Sequence, residues 1–221
     1  MRARLQFQIP GDFSPISLVA NGPYVLVVHP SVPAVSARDL VHIAKTKRGG
    51  VSYASSGVGS SAHLAGELFN ALAKVRTTHV PYKGSPQAVL AVATGEVDFN
   101  LPSVTAAQPL IDGGRVRALA VSTLTRTALL PNLPTLHESG VPGYDRNGWY
   151  GLMAPAGTPR EIIGKLYSAI AKAANAGDMK AELLKLGLEA ATNTPDEFTA
   201  QIRREVEVNA GIARAAGIER E

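Results

Sequence analysis

The sequence of 221 residues contains no cysteine, and this absence excludes disulfide bonds, cysteine-ligated metals and a thiol nucleophile. Long apolar runs are also missing. None reaches the ~18–20 residues that a membrane-spanning helix needs, so we expect no direct membrane insertion. The basic start, MRARLQFQIPGDF, is not followed by the apolar segment of about 7–15 residues that is typical of a secretory signal. Taken as written, the chain is expected to carry no export signal.

Aromatic residues are few, at 5% of the chain, and none alternates with the basic residues. The net charge is +4, but the lysines and arginines form small clusters, such as Lys45, Lys47 and Arg48, and no continuous stripe. A nucleic-acid surface usually combines a basic stripe with aromatic side chains. We therefore expect no nucleic-acid partner, and we interpret these charges as solvated surface. The hydrophobic fraction of 45% is enough for a globular core.

Short strand-like runs alternate with helical periodicity from Pro23 to Thr123. The runs YVLVVHP, GVSYAS, TTHVPY, VDFNLP and RVRALAVST predict strands. Helices are predicted between them, one with Ser36 as N-cap and Asp39 completing a capping box, another with Ser85 as N-cap. Strands separated by helices of this length are typical of an α/β fold with a parallel sheet covered on both faces.

The last part of the chain is predicted to be mostly helical after one strand, GWYGLMAP. Thr158 and Thr194 are each followed by proline and, three residues on, by glutamate, which predicts a threonine N-cap for two helices. A shorter helix is predicted between them, in GDMKAELLKLGLE. The apolar faces of the long helices, Ile162/Ile163/Leu166/Ile170 and Phe198/Ile202/Val206/Ile212, need a sheet to pack on.

The segment SSGVGSSAH, residues 55–63, leads from a predicted strand into a predicted helix. Such a loop presents unpaired backbone N–H groups at the positive end of a helix dipole, which favours an anion. Glycines allow close approach of the backbone, and serine hydroxyls can donate and accept. The alternative is that these residues only form a turn and cap the helix, with Ser60 or Ser61 as N-cap.

A second loop of the same kind follows one strand later, in YKGSPQ. If the two strands are neighbours, both helix N-termini open at the carboxyl edge of one sheet, where α/β proteins bind ligands. Lys83 then adds a positive charge. The pair of loops favours a site for a small anion.

The core of the first loop, Gly57-Val58-Gly59-Ser60-Ser61-Ala62, also fits the dinucleotide fingerprint G-x-G-x-x-A. That fingerprint needs an acidic residue about 20 positions on, at the end of the next strand. Here that strand ends in VPYKG, so a Rossmann-like oxidoreductase is the weaker hypothesis. No P-loop pattern is present either.

No catalytic or metal-binding pattern emerges from the histidines and serines. The serines lie outside a G-x-S-x-G motif, and no acidic residue is designated to orient His63. We interpret His63 as a partly buried polar residue or a ligand contact. The remaining histidines are dispersed without metal-ligand spacing. Asp98 is expected to end a strand, and we interpret it as a cap or a salt-bridge residue, with a catalytic role as the alternative.

Several motifs, in order and spacing, resemble the Bug family, the extracytoplasmic solute receptors of tripartite tricarboxylate transporters. The motifs are DFSPISLVANGPYVLVVHPSVPAVSARDLVHIAK, VSYASSGVGSSAHLAGELF, HVPYKGSPQAVLAVATGEVDF, GRVRALAVST, LPTLHESGVPGYDRNGWYGLMAPAGTPREII and TNTPDEFTAQIRREVE. The resemblance implies a two-lobed fold of the periplasmic-binding-protein type II kind that closes on a small carboxylate, such as a di- or tricarboxylate, an acidic amino acid or an aromatic acid. It implies no cofactor and no catalysis, and its expected partners are the carboxylate and the membrane components of the transporter.

Mapped onto this chain, the resemblance assigns residues 23–145 to a complete second lobe and residues 1–22 with 146–221 to an incomplete first lobe. The ligand-binding residues that we expect are Ser55, Ser56, Gly57, Gly59, Ser60, Ser61, His63, Tyr82, Lys83, Gly84, Ser85 and Asn100. Pro102 and Ser103 depart from the family pattern, in which many members carry acidic or amide residues at these places.

The resemblance implies that roughly the first third of a standard receptor, with its signal peptide and its own glycine-rich loop, is absent before Asp12. We expect a carboxylate receptor represented by a truncated chain or by a misassigned gene start. One alternative is a remnant that binds nothing, and the alternative from the enzyme class is the Rossmann-like oxidoreductase. The family resemblance implies a periplasmic location, whereas Met1 as the true start would imply the cytoplasm.

Overall fold

The computed structural model describes residues 7–218 and divides the chain into two compact units. The first unit comprises the chain up to Gly22 and from Trp149 onward, and the second comprises Pro23–Gly148. Residues 1–6, at the basic start, and 219–221 lie outside the described residues. The elements in chain order are β1 (Phe13–Pro23), β2 (Val25–Val28), α1 (Ala37–Thr46), β3 (Ser52–Ser55), α2 (Ser61–Ala73), β4 (Thr78–Pro81), α3 (Ser85–Ala93), β5 (Phe99–Asn100), α4 (Val104–Asp112), β6 (Arg117–Val121), β7 (Asn147–Pro155), α5 (Arg160–Ala174), α6 (Gly177–Lys185), β8 (Glu189–Ala190) and α7 (Pro195–Ala215).

The second unit is built on a five-stranded sheet with the order β4-β3-β5-β2-β6. β3 runs parallel to β4 and β5, whereas β2 is antiparallel to β5 and β6. The sheet is therefore mixed: β3 runs parallel to β4 and β5 as expected, and only β2 departs from the expected parallel direction among these strand pairs. A fully buried apolar strand has the same sequence pattern in either direction, so periodicity could not reveal this.

Helices cover both faces of this sheet, as the alternation of strands and helices predicts. Leu26 and Val28 of β2 belong to a core cluster with α1 and α2, and Val25 and Val27 belong to a second cluster with α3 and α4. Side chains alternate between the faces of a strand, so one four-residue strand contributes to two cores. All four residues are buried, which explains a continuous apolar run.

The helix caps agree with the sequence at α1 but not at α3. Ser36 caps α1 and Asp39 completes the capping box, because the Ser36 Oγ accepts from the Asp39 N–H at 3.2 Å and the Asp39 carboxylate accepts from the Ser36 N–H at 2.9 Å. The N-cap of α3 is Gly84, and Ser85 is already helical, so that prediction is wrong. Gly84 has φ 143° and ψ 164°, a conformation essentially restricted to glycine, and it turns the chain one residue early.

The first unit contains a three-stranded sheet with the order β7-β1-β8, in which β1 and β8 are antiparallel. Ile163 of α5 packs in a cluster with Ile16 and Ala154. Phe198 and Ile202 of α7 pack in another cluster with Leu18. These strands supply part of the sheet that the helices need.

Other residues of the same predicted apolar faces are exposed: Ile162, Leu166 and Val206 are 47%, 40% and 48% accessible. Thr194 caps α7 in a capping box with Glu197, as predicted. The same prediction for Thr158 is wrong, because α5 begins after Pro159 and the Thr158 hydroxyl donates to the Pro155 carbonyl. Within residues 7–218, none of the helices combines the length and the apolar character that crossing a bilayer requires.

Candidate functional site

The two glycine-containing loops lie side by side. β3 and β4 are parallel neighbours with Ser55 opposite Pro81, so both strands end at the same edge of the sheet. Across this edge the Tyr82 N–H donates to the Ser55 carbonyl at 2.9 Å. α2 and α3 both begin here, as the order of strands and helices in the sequence predicts.

The first turns of both helices present unpaired N–H groups at this edge. In α2 the Ser60 hydroxyl accepts from the His63 N–H at 3.3 Å, which confirms Ser60 as N-cap. The N–H groups of Ser61 and Ala62 find no acceptor anywhere in residues 7–218, and the same is true in α3 for those of Ser85 and Gln87. Two helix dipoles with free N–H groups make this edge favourable for an anion.

The conformation of the first loop depends on its two glycines. Gly57 has φ 125° and Gly59 has φ 70°, both in the left-handed range that favours glycine. The buried Ser55 hydroxyl donates to the Gly57 carbonyl at 3.0 Å and accepts from the Gly57 N–H at 3.1 Å. The Ser60 N–H also donates to the Gly57 carbonyl, at 3.2 Å. The hydroxyl of Ser55 is thus engaged within the loop.

His63 supports the loop from beneath. His63 is 6% exposed, and its Nδ1 accepts from the Gly59 N–H at 3.0 Å. Its Nε2 lies 4.0 Å from Oε1 of Glu67. Burial lowers the pKa of His63 although the Glu67 carboxylate acts in the opposite direction. The ring is therefore neutral at pH 7, with its proton on Nε2, because Nδ1 acts as an acceptor.

The remaining predicted residues lie at the same edge but differ in exposure and in hydrogen bonding. Lys83 is exposed, and its N–H donates to the Gln87 Oε1 at 3.2 Å. Ser56 is half-buried. Asn100 ends β5 beside β3 and is buried, with its Oδ1 accepting from the Leu101 N–H at 2.7 Å. Which of these groups contacts a ligand stays a prediction.

The Tyr82 side chain is half-buried and packs on the core of the second unit. Its ring packs against the core cluster beneath α3, and its hydroxyl is buried. Burial, together with the nearby Glu96, raises the pKa of Tyr82 to about 12. Its main-chain N–H joins the two loops, and a contact of its side chain with a ligand stays a prediction.

The sequence did not reveal the partner of His63. The rings of His63 and His79 are stacked, with centroids 3.7 Å apart and planes inclined by 8°. The His79 Nε2 lies 2.6 Å from the Ser55 Oγ. The predicted order of strands could have indicated this pair. If β4 lies parallel beside β3, His79 is opposite Tyr53, on the face of the sheet that α2 covers. Dispersal along the sequence concealed this pair.

Asp98 belongs to the opposite edge of the sheet. It precedes β5 rather than ending a strand, and its carboxylate accepts from Lys47 Nζ at 2.8 Å and from the Ser52 N–H at 2.8 Å. Burial would raise the pKa of Asp98, but these bonds outweigh it and hold the pKa below its usual value. The salt-bridge interpretation is correct. Within the described part of the chain, no group of three His, Asp or Glu side chains could hold a metal ion.

Comparison with known protein families gives a match over almost the entire chain. The family described as "Tripartite tricarboxylate transporter family receptor" matches residues 1–218. The UPF0065 protein in the tcbD-tcbE intergenic region of Pseudomonas sp. strain P51 is 41% identical over 209 residues, which are 92% of this chain and 61% of that protein. Protein BugT of Bordetella pertussis is 32% identical over 96% of this chain and 65% of its own length. The chain thus spans less than two thirds of these relatives.

Solved structures match the same fold. Rpa4515 of R. palustris, described with adipate, has a TM-score of 0.89 and 32% identity, and the match covers 100% of this chain and 74% of that one. MatC of Rhodopseudomonas palustris, described with bound malate, has a TM-score of 0.78 and 27% identity over 95% of this chain and 72% of its own. The expected fold of the periplasmic-binding-protein kind is confirmed.

Proposed function

The chain belongs to the receptor family of tripartite tricarboxylate transporters, and from this premise we propose that it binds a small carboxylate at the edge where α2 and α3 begin. The observation that supports this most directly is the pairing of two helix N-termini, joined by the hydrogen bond from the Tyr82 N–H to the Ser55 carbonyl. The free N–H groups of Ser61 and Ala62 are the donors that we assign to a carboxylate oxygen. Lys83 adds positive charge nearby.

A dicarboxylate is the ligand class that we favour. Rpa4515 is described with adipate and MatC with malate, and both ligands carry two carboxylates. Two neighbouring helix N-termini suit one carboxylate, or a carboxylate and a hydroxyl, through N–H donors that do not distinguish the rest of the molecule. The binding experiment below therefore compares several carboxylates.

A dinucleotide is disfavoured by the use of the second glycine of the fingerprint. In a dinucleotide fold this glycine lets the backbone approach the pyrophosphate. Here the Gly59 N–H is bonded to His63 Nδ1 at 3.0 Å. We therefore propose a receptor that makes and breaks no bond, and we disfavour an oxidoreductase.

The test is isothermal titration calorimetry of the whole chain with adipate, malate, succinate, citrate, glutamate and nicotinate. Adipamide is the matched control, since it has the length of adipate with both charges removed, and NAD tests the dinucleotide alternative. We expect binding of at least one carboxylate and none of adipamide or NAD. Binding of NAD without any carboxylate, or silence with every ligand, contradicts the proposal.

We further propose that the chain acts in the periplasm and delivers its ligand to the membrane components of a tripartite transporter. This follows from the family alone. Co-purification with those membrane components in detergent, with and without the carboxylate that calorimetry identifies, tests the partnership. We expect ligand-dependent capture, and failure of capture in both conditions contradicts it.

A further inference from the structure

Two stacked histidines lie directly beneath the loop that carries the proposed carboxylate site. His63 comes from the first turn of α2, and His79 comes from β4. Their rings are nearly parallel, with 3.7 Å between the centroids. His63 Nδ1 accepts from the Gly59 N–H at 3.0 Å, and His79 Nε2 lies 2.6 Å from Ser55 Oγ. The pair therefore contacts both ends of residues 55–59.

The segment 55–59 needs support because it contains two glycines within three residues. Glycine has more conformational freedom than any other residue, so ordering such a loop costs more entropy than ordering an ordinary one. Hydrogen bonds from buried, well-packed groups offset this cost. The Tyr53 ring extends the packing, with its centroid 5.0 Å from that of His79.

Glu67 lies beside the His63 ring and is itself held by hydrogen bonds. Its Oε1 accepts from the Tyr53 hydroxyl at 2.5 Å and from Asn70 Nδ2 at 3.4 Å, and it lies 4.0 Å from His63 Nε2. These contacts connect the rings to the body of the second unit. The histidine rings thus link the loop to Glu67, Tyr53 and Asn70, which are hydrogen-bonded to one another.

We propose that His63 and His79 are positioning residues for the carboxylate site, which hold residues 55–59 in one conformation and so keep the Ser61 and Ala62 N–H groups presented to the anion. The inference rests on the proposed function, because it concerns how that site is maintained. Neither ring is required to touch the ligand.

The arrangement requires uncharged rings. A proton on His63 Nδ1 would place two N–H groups against each other at Gly59, and a second cation at His79 would repel the first across the stack. The charged and titratable groups that face the pair are Glu67 from α2 and Tyr53 from β3. Glu67 favours the cationic form of His63, and burial opposes it.

Burial is also the main cause that lowers the pKa of His79, to about 4, and His63 acts in the same direction. At a pH between the lowered pKa and the usual value of 6.5, such a histidine is neutral in the folded protein and protonated in the unfolded one. Both rings are therefore neutral at pH 7. Support of the loop is complete at neutral pH and is lost as the pH falls.

The binding test uses pairs of substitutions that separate hydrogen bonding from packing. His63→Asn keeps an acceptor near the Nδ1 position, and His63→Leu removes it. His79→Gln keeps a polar group near the Nε2 position, and His79→Leu removes it. The control is His42→Asn, on the exposed side of α1 in the same unit.

We expect each leucine variant to weaken carboxylate binding by about tenfold, and each amide variant to recover affinity to within about threefold of the original, from the loss and restoration of one buried hydrogen bond. His42→Asn should leave the affinity unchanged. Leucine variants that bind as tightly as the original chain contradict the inference.

A second measurement needs no ligand and separates this inference from the proposed function. ¹⁵N NMR of the imidazoles and hydrogen exchange of the Gly59 amide are followed from pH 8 to pH 4. We expect an unprotonated Nδ1 on His63, a protected Gly59 amide at neutral pH, and loss of that protection in step with ring protonation and in His63→Leu. A Gly59 amide that stays protected throughout contradicts the positioning role.

If no carboxylate binds the original chain, the proposed function fails, and Gly59 protection still decides whether the histidines hold the loop. If His63→Leu does not fold, the acid titration of the original chain decides the same question.

Discussion

The main-chain N–H of Tyr82 donates a hydrogen bond to the carbonyl of Ser55 across 2.9 Å. This bond joins the loop before α2 to the loop before α3, immediately beyond the last pair of the β3–β4 ladder. The position of each helix N-terminus is consequently fixed relative to the other. Changes at one loop are therefore expected to affect the anion site as a whole.

Gly59→Val tests whether the first loop is more than a turn. Gly59 has φ 70°, which a β-branched residue adopts only at a cost of about 1–3 kcal/mol. We expect calorimetry to show loss of carboxylate binding while denaturation shows that the second unit still folds. Gly114→Val is the matched control, since Gly114 has φ 64° and open space around its Cβ position. Unchanged affinity in Gly59→Val would mean that the loop conformation does not matter for binding.

Asp98→Asn tests the ion pair at the opposite edge of the sheet. The pKa of Asp98 is lowered in the folded chain, so its stabilisation is present above the unfolded pKa and is lost as the pH falls through the folded value. We expect the variant to lose about 1–2 kcal/mol of unfolding free energy at pH 7, from weakened bonds to a charged, partly exposed group. Urea denaturation at pH 7 and near pH 3 measures this.

The difference between Asp98→Asn and the original chain should shrink at the lower pH. Carboxylate affinity at pH 7 should be unaffected, because Asp98 lies at the other end of the strands. A stability difference that is equal at both pH values contradicts the assigned role of the charge.

Gly66→Ala tests the close packing of α2 on β3. A Cβ at Gly66 would lie 2.2 Å from Cε2 of the Tyr53 ring, and the ring is fully buried and cannot move freely. We expect a loss of about 1–3 kcal/mol from overpacking. Thermal unfolding followed by circular dichroism measures the loss.

Gly164→Ala in α5 is the control for Gly66→Ala. Nothing lies within 4 Å of a Cβ at this position, so alanine should stabilise the helix by about 0.5–1 kcal/mol. Equal effects of the two substitutions would contradict the packing argument.

Thr194→Ala and Thr158→Ala test a distinction that the sequence did not make. Thr194 accepts from the Glu197 N–H at 3.3 Å as the N-cap of α7, whereas Thr158 makes no cap bond to α5. We expect a loss of about 1 kcal/mol for Thr194→Ala and a clearly smaller loss for Thr158→Ala. Urea denaturation of the two variants compares them, and the reverse order would contradict the assigned caps.

Local signals in the sequence determined much of the fold. The strands from β2 to β7 and the helices between them follow from short runs of apolar residues and from caps such as Ser36 with Asp39 and Thr194 with Glu197. The two glycine-containing loops follow from residue types that tolerate unusual backbone angles. These features depend on residues within a few positions of one another, so the order of residues is enough to reveal them.

Tertiary structure decided what depends on distant partners. The antiparallel direction of β2, the packing of Tyr82 on the core beneath α3 and the contact of Asp98 with Lys47 and Ser52 all join residues that are far apart in the chain. The stacking of His63 on His79 is the clearest case, because it arises only when β4 pairs with β3 and α2 packs over both. The sequence determined which residues form the loop, and the long-range packing decided what holds the loop in place.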